Sequence, residues 1–115
     1  METDIRWKQR FSNYCKAFSL LEEAIKENGN NPPDLIKEGI IQRFEFTHEL
    51  AWKMLNDFLE YEGYQNITGS RTAIKEAFRL GIITNGQTWM DMIESRNKTV
   101  HTYDEVILKS EFNKI

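Results

Sequence analysis

Arg96, His101 and Tyr103 fall within one short stretch between Glu94 and Asp104, and together they offer three complementary kinds of chemistry. A guanidinium stays charged at neutral pH and grips phosphate with a fork of donors, an imidazole moves protons near neutrality, and a phenol can accept a transferred group. Asn97 and Lys98, directly after the arginine, are candidate phosphate or positioning contacts. Spacing constrains how these groups cooperate. Five residues on an unbroken helix rotate by about 500°, which leaves Arg96 and His101 roughly 140° apart. They face one site only if the helix ends or bends between them, or if they meet their own copies across a two-fold axis. The β-branched pair Thr99-Val100 favours a break. A plainer reading stands beside this one: cations near a helix C-terminus are favourable by about 0.3–1 kcal/mol each, and a tyrosine in this position suits half-buried packing.

Little else in the chain competes for a chemical role. His48, flanked by Glu45 and Glu49, reads as a satisfied histidine at the edge of a helical bundle, because no His, Cys and carboxylate cluster has metal-ligand spacing. No metal site and no cofactor are expected. Glu22-Glu23 and the Glu60/Glu62 pair fit solvent-facing, solubilising charge, and there is no glycine-rich phosphate loop or Ser-His-Asp arrangement. The single cysteine, Cys15, allows no internal disulfide and fits a reducing compartment. With 40% hydrophobic and 29% charged residues the composition is that of a globular protein. No apolar run is long enough to span a bilayer and the N-terminus lacks signal-peptide character, so a cytoplasmic location is expected. A net charge of −3 argues against a nucleic-acid coat protein. Yet residues 1–69 hold 8 Lys+Arg against 12 Asp+Glu, whereas residues 70–101 hold 5 against 3, so the basic excess surrounds Arg96.

The elements that must position these residues are all helical. Over residues 4–26, Trp7, Phe11, Tyr14, Phe18, Leu21 and Ile25 recur at steps of four and three, the stripe of an amphipathic helix, and the aromatics read as core. Asp34 is placed to cap a second helix that runs to Glu62 and stops at Gly63. Two apolar stripes share that helix, one through Ile40, Phe44, Thr47 and Ala51, the other through Ile41, His48, Leu55 and Leu59. So much apolar circumference implies a helix that is central in a bundle or shared with a second subunit, and Gly39 suggests a close crossing. Ser70 is expected to cap a third helix with Ala73, Ile74, Ala77, Phe78 and Leu80 buried, ended by Gly81. Asn85-Gly86 is a turn signal, and Thr88 with Asp91 has capping-box spacing for a fourth helix reaching Arg96 or beyond. Residues 104–115 form a short final helix, with Val106, Ile107, Leu108, Phe112 and Ile115 seeking something to pack on. The expected fold is all-α: one domain over residues 1–115, with four to five helices.

Three segments in order carry a resemblance. They are Gln42-Arg43-Phe44-Glu45-Phe46-Thr47-His48-Glu49-Leu50-Ala51-Trp52-Lys53, then Ser70-Arg71-Thr72-Ala73-Ile74-Lys75-Glu76-Ala77-Phe78, then Arg96-Asn97-Lys98-Thr99-Val100-His101-Thr102-Tyr103-Asp104-Glu105. Together they resemble the nucleotidyltransferase substrate-binding protein family, within the HEPN superfamily of small helical bundles. The resemblance implies an antiparallel up-and-down bundle that forms a homodimer, with a higher oligomer open, and that pairs with a minimal nucleotidyltransferase. In related toxin–antitoxin pairs the HEPN member is a metal-independent ribonuclease, and the nucleotidyltransferase silences it by adenylylating the tyrosine two residues after the motif histidine. Carried over by residue, the resemblance makes Arg96 and His101 catalytic and Tyr103 the modified residue, with RNA as ligand. The alternative is a non-catalytic subunit that binds nucleotide or substrate for the nucleotidyltransferase, with Arg96 and Lys98 on phosphate and Trp89 stacking a base. Family members continue into a full C-terminal helix, whereas this sequence stops at Ile115, which leaves bundle closure and the partner surface open.

Overall fold

The computed structural model describes residues 2–98 and 104–115, and all of their regular structure is helical. The order is α1 (Glu2–Asn28), α2 (Asp34–Tyr61), α3 (Ser70–Arg79), α4 (Gly86–Lys98) and α5 (Glu105–Lys114). Helix α2 touches each of the other four, and its interface with α1 is the most extensive. Its two apolar stripes therefore find partners inside the chain. Gly39, in contrast, has no neighbour within 4 Å of where a Cβ would stand, so it marks no close crossing.

Two apolar clusters sit toward opposite ends of α2. At the N-terminal half, Ile40 and Ile41 pack with Leu21 and Ala24 of α1 and with Leu108 and Phe112 of α5. The short last helix thus packs on this chain. At the C-terminal half, Leu55 packs with Ile74 and Ala77 of α3 and Ile93 of α4, with Trp89 and Met90 alongside. A buried carboxylate reinforces the α1–α2 interface near its other end, where Arg10 Nε lies 2.8 Å and Arg6 Nε 3.6 Å from the Asp57 carboxylate.

The aromatic stripe of α1 is not the core expected of it. Helix α1 buries Ala17, Leu21 and Ala24, while Phe11 and Phe18 remain 46% and 47% exposed. Small side chains at steps of four and three let α1 approach α2 closely, which turns the larger rings to the edge of that contact. Phe78 departs similarly, at 53% exposed, because its ring lies over the start of α4. A Cβ on Gly86 would stand 2.9 Å from two carbons of that ring, so glycine is what lets α4 begin there.

The helix ends also shift from expectation. Pro33 is the N-cap of α2 and Gly69 that of α3, neither with a capping side chain, so Asp34 and Ser70 are the first helical residues. Proline's fixed φ and missing N–H suit it to a helix entrance, and Asp34 still meets the positive end of the dipole. Helix α4 starts two residues before Thr88, after Asn85 at φ +55, and Asp91 accepts a hydrogen bond from Gln87 Nε2 at 2.8 Å in place of a capping box. The stops fall as expected, with Gly63 (φ +93) and Gly81 (φ +77) just beyond α2 and α3.

Candidate active site

Arg96 occupies the last turn of α4, two residues before its end at Lys98. Its guanidinium Nε lies 3.8 Å from Glu49 Oε1 on α2, and the other oxygen of that carboxylate lies 3.7 Å from Lys53 Nζ. The arginine side chain is about one-third exposed at 30%. It is thus held at the protein surface with a face open to a ligand, and its aim is set by a carboxylate on the central helix. Asn97 and Lys98 follow it, both exposed. His101 and Tyr103 lie outside the described residues. The next described residue, Asp104, has extended backbone (φ −87, ψ 119), and its side chain accepts the backbone N–H groups of Val106 at 2.9 Å and Ile107 at 3.4 Å. This N-cap starts α5 as a separate helix. The chain leaves helical conformation by Asp104 at the latest, so the motif does not sit on one continuous helix from Arg96 through to α5.

His48 differs most from expectation. It is buried, at 4% exposed, but neither ring nitrogen has a hydrogen-bond partner among the described residues. Leaving a buried donor or acceptor unpaired costs about 1–3 kcal/mol, so this is not a satisfied core histidine. Burial pushes its imidazole below the usual histidine range, neighbouring Glu49 pulls it back in part, and Arg96 pushes it further down. The ring is therefore neutral at pH 7, with one N–H donor and one acceptor. Sequence reasoning missed both Glu49 as the partner of Arg96 and the unsatisfied state of His48. Each depends on how α4 lies across α2, a relation between distant segments that helical periodicity does not encode.

The His48 ring also lines a cleft of about 240 Å³. Tyr14 and Phe18 of α1 form one wall, Phe44 and His48 of α2 the floor, and Trp89 and Met92 of α4 the other wall. The rings of Phe44 and His48 are 6.0 Å apart. A more polar depression on α4 and α5 shares Met92 and includes Lys98 and Lys114 with Asp91 and Glu94. Among the described residues no group of three or more His, Cys, Asp or Glu is arranged to hold a metal ion, and no helix is long and apolar enough to cross a membrane.

Similarity to known proteins agrees with this geometry. The segment aligned to the Probable ribonuclease HepT of Haemophilus influenzae (strain ATCC 51907 / DSM 11121 / KW20 / Rd) is 34% identical over 76 residues. That alignment covers 63% of this chain and 52% of the relative, so the chain matches about half of the relative's length. The family described as "Nucleotidyltransferase substrate binding protein like" matches residues 9–115, which include all five helices and the Arg96–Tyr103 stretch. On that match the chain belongs to the nucleotidyltransferase substrate-binding protein-like family.

Proposed function

We propose that this chain is an HEPN-type subunit, a single domain over residues 1–115, that cleaves RNA as a homodimer and is held in check by a minimal nucleotidyltransferase. The observation that carries the reading is Arg96, half-buried in the last turn of α4 and aimed by Glu49, in a family member whose aligned relative bears a ribonuclease name. In this reading His101 removes the proton from a ribose 2′-hydroxyl, whose oxygen attacks the adjacent phosphorus. The 5′-oxygen leaves with a proton, and a cyclic phosphate remains on the upstream strand. Arg96 stabilises the charge that builds on the phosphate oxygens, with Asn97 and Lys98 positioning the backbone. RNA supplies its own nucleophile, so this route calls for neither a metal ion nor another cofactor. The up-and-down bundle dimerises so that two copies of the motif share one cleft, giving both a general acid and a general base.

Silencing runs through Tyr103. The partner directs its phenol oxygen onto the α-phosphorus of ATP, an oxygen–phosphorus bond forms as pyrophosphate leaves, and a bulky anion then sits beside the site. Both proteins work in the cytoplasm. The test incubates purified protein with RNA beside Arg96→Ala and His101→Ala, and follows intact mass after co-expression with a neighbouring nucleotidyltransferase. Loss of cleavage in both variants, and a gain of AMP units that Tyr103→Phe abolishes, are the expected results. Cleavage unchanged in both variants would refute the catalytic assignment.

A second reading, a non-catalytic subunit that presents nucleotide to the nucleotidyltransferase, draws on the ring-lined cleft beside Trp89. It expects nucleotide binding with no RNA turnover.

A further inference from the structure

The cleft between α1 and α4 combines features that a packing defect lacks. Its walls are rings and a thioether, its floor holds a neutral imidazole, and the six residues Tyr14, Phe18, Phe44, His48, Trp89 and Met92 present no formal charge. His48 is 96% buried in that floor with both nitrogens unpartnered among the described residues. A solvent-facing alternative for those nitrogens is absent, since neither is reached by water in the cleft's present shape. The part of a ligand that fits is therefore flat, uncharged and able to hydrogen-bond through its edge. A volume of about 240 Å³ exceeds the roughly 150 Å³ that takes a benzene ring, and is enough for a bicyclic heteroaromatic. Met92, an unbranched and adjustable side chain, supplies the wall that can give way.

What lies next to the cleft narrows the class further. Arg96 follows Met92 by one helical turn on α4, and its charge is close enough to His48 to act on the imidazole. A neutral aromatic slot with a cation one turn away matches a ring joined to a phosphate.

We propose that the cleft floored by His48 is a nucleobase subsite, in which the base stacks against the Trp89 wall and is hydrogen-bonded by His48 while its phosphate reaches Arg96. The inference rests on the reading of Arg96 as a phosphate-handling residue. The base belongs either to an RNA strand or to a free nucleotide; the recognition chemistry is the same.

Adenosine and AMP, titrated into the purified full chain by calorimetry, test it. Adenosine binds saturably at millimolar concentration or below, and AMP binds about tenfold more tightly, the gain expected of one charge-assisted contact. His48→Phe weakens both ligands about tenfold or more, His48→Gln, which keeps a donor and an acceptor, restores part of the loss, and Arg96→Ala abolishes the preference for AMP. Circular dichroism and melting of each variant establish that it is folded. A short single-stranded RNA that competes with adenosine assigns the base to a strand, and AMP binding without such competition assigns it to a free nucleotide. No saturable adenosine binding up to tens of millimolar, equal binding by wild type and folded His48→Phe, or a cleft closed by a second copy as protein concentration rises each overturns the subsite. RNA cleavage distinguishes the two levels of the argument. If cleavage ignores Arg96 and His101 while adenosine binding still depends on His48, the catalytic reading fails and the subsite stands. Normal Arg96-dependent cleavage with no adenosine binding leaves the catalytic reading intact and removes the subsite.

Discussion

His48→Phe is expected to make this protein more stable. In the wild-type chain the imidazole is 4% exposed and its two nitrogens, one donor and one acceptor in the neutral ring, are unpartnered among the described residues. Each such group costs about 1–3 kcal/mol relative to water. Phenylalanine removes the cost while keeping a planar ring beside Phe44, and its slightly larger volume takes back part of the gain as overpacking. A net stabilisation of about 1–2 kcal/mol at pH 7.5 follows, which for a chain of this length is a rise in Tm of about 3–8 °C. The pH dependence gives an independent check. Burial holds the folded-state pKa of His48 below its ordinary value. Below the unfolded value, about 6.5, the unfolded chain binds a proton that the folded chain does not. Stability from this residue is therefore present above that pH and is lost as pH falls through it, at no more than about 1.4 kcal/mol per pH unit for one proton. The advantage of the variant widens from pH 7.5 to pH 5.5, and His101, Glu49 and Arg96 are common to both proteins. Urea unfolding at the two pH values measures it. A variant less stable than wild type at pH 7.5, or a gap that does not widen in acid, refutes the description of His48 as buried and unsatisfied.

Two further expectations concern the frame around the site. Asp104→Ala removes the side chain that accepts the Val106 and Ile107 N–H groups, and should cost about 1 kcal/mol in urea unfolding, with faster hydrogen exchange at the start of α5. For Asp57 and Arg10, a double-mutant cycle with Asp57→Asn and Arg10→Met should return a coupling of about 1 kcal/mol, kept modest because the arginine side chain is 36% exposed.

Periodicity made the helices legible, because each must show an apolar face to something. Gly63 and Gly81 were equally legible as stops, since a left-handed residue beyond a helix is the place where glycine costs least. The starts were harder. Pro33 and Gly69 are the N-caps, and the polar residues one step on resembled caps only by composition, since backbone conformation, not residue type, decides which residue is outside the helix. The α1 stripe misled for a related reason. Hydrophobic spacing finds the apolar side of a helix but not which part of it is closest to its neighbour, and there Ala17 and Ala24 outrank Phe11 and Phe18. At the site, Arg96 was legible as a cation near a helix end, and α4 does end at Lys98. Its carboxylate partner on α2 and the unsatisfied imidazole beside it follow from the way α4 crosses α2, which no local pattern in either segment records.

The placement of two apolar clusters on opposite halves of one helix has a consequence for how damage spreads. Helix α2 is a shared spine, with α1 and α5 closing one core on it and α3 and α4 the other. Local opening can then release one half while the other half stays closed, since each core is a contiguous set of apolar contacts. Arg96 belongs by its helix to the α3–α4 half, whereas the N-cap at Asp104 belongs to the half closed by α5. The Arg96–Tyr103 stretch is consequently a bridge between two separately closing cores. Substitutions deep in either half reach the motif by moving one of its ends, without touching any residue in it.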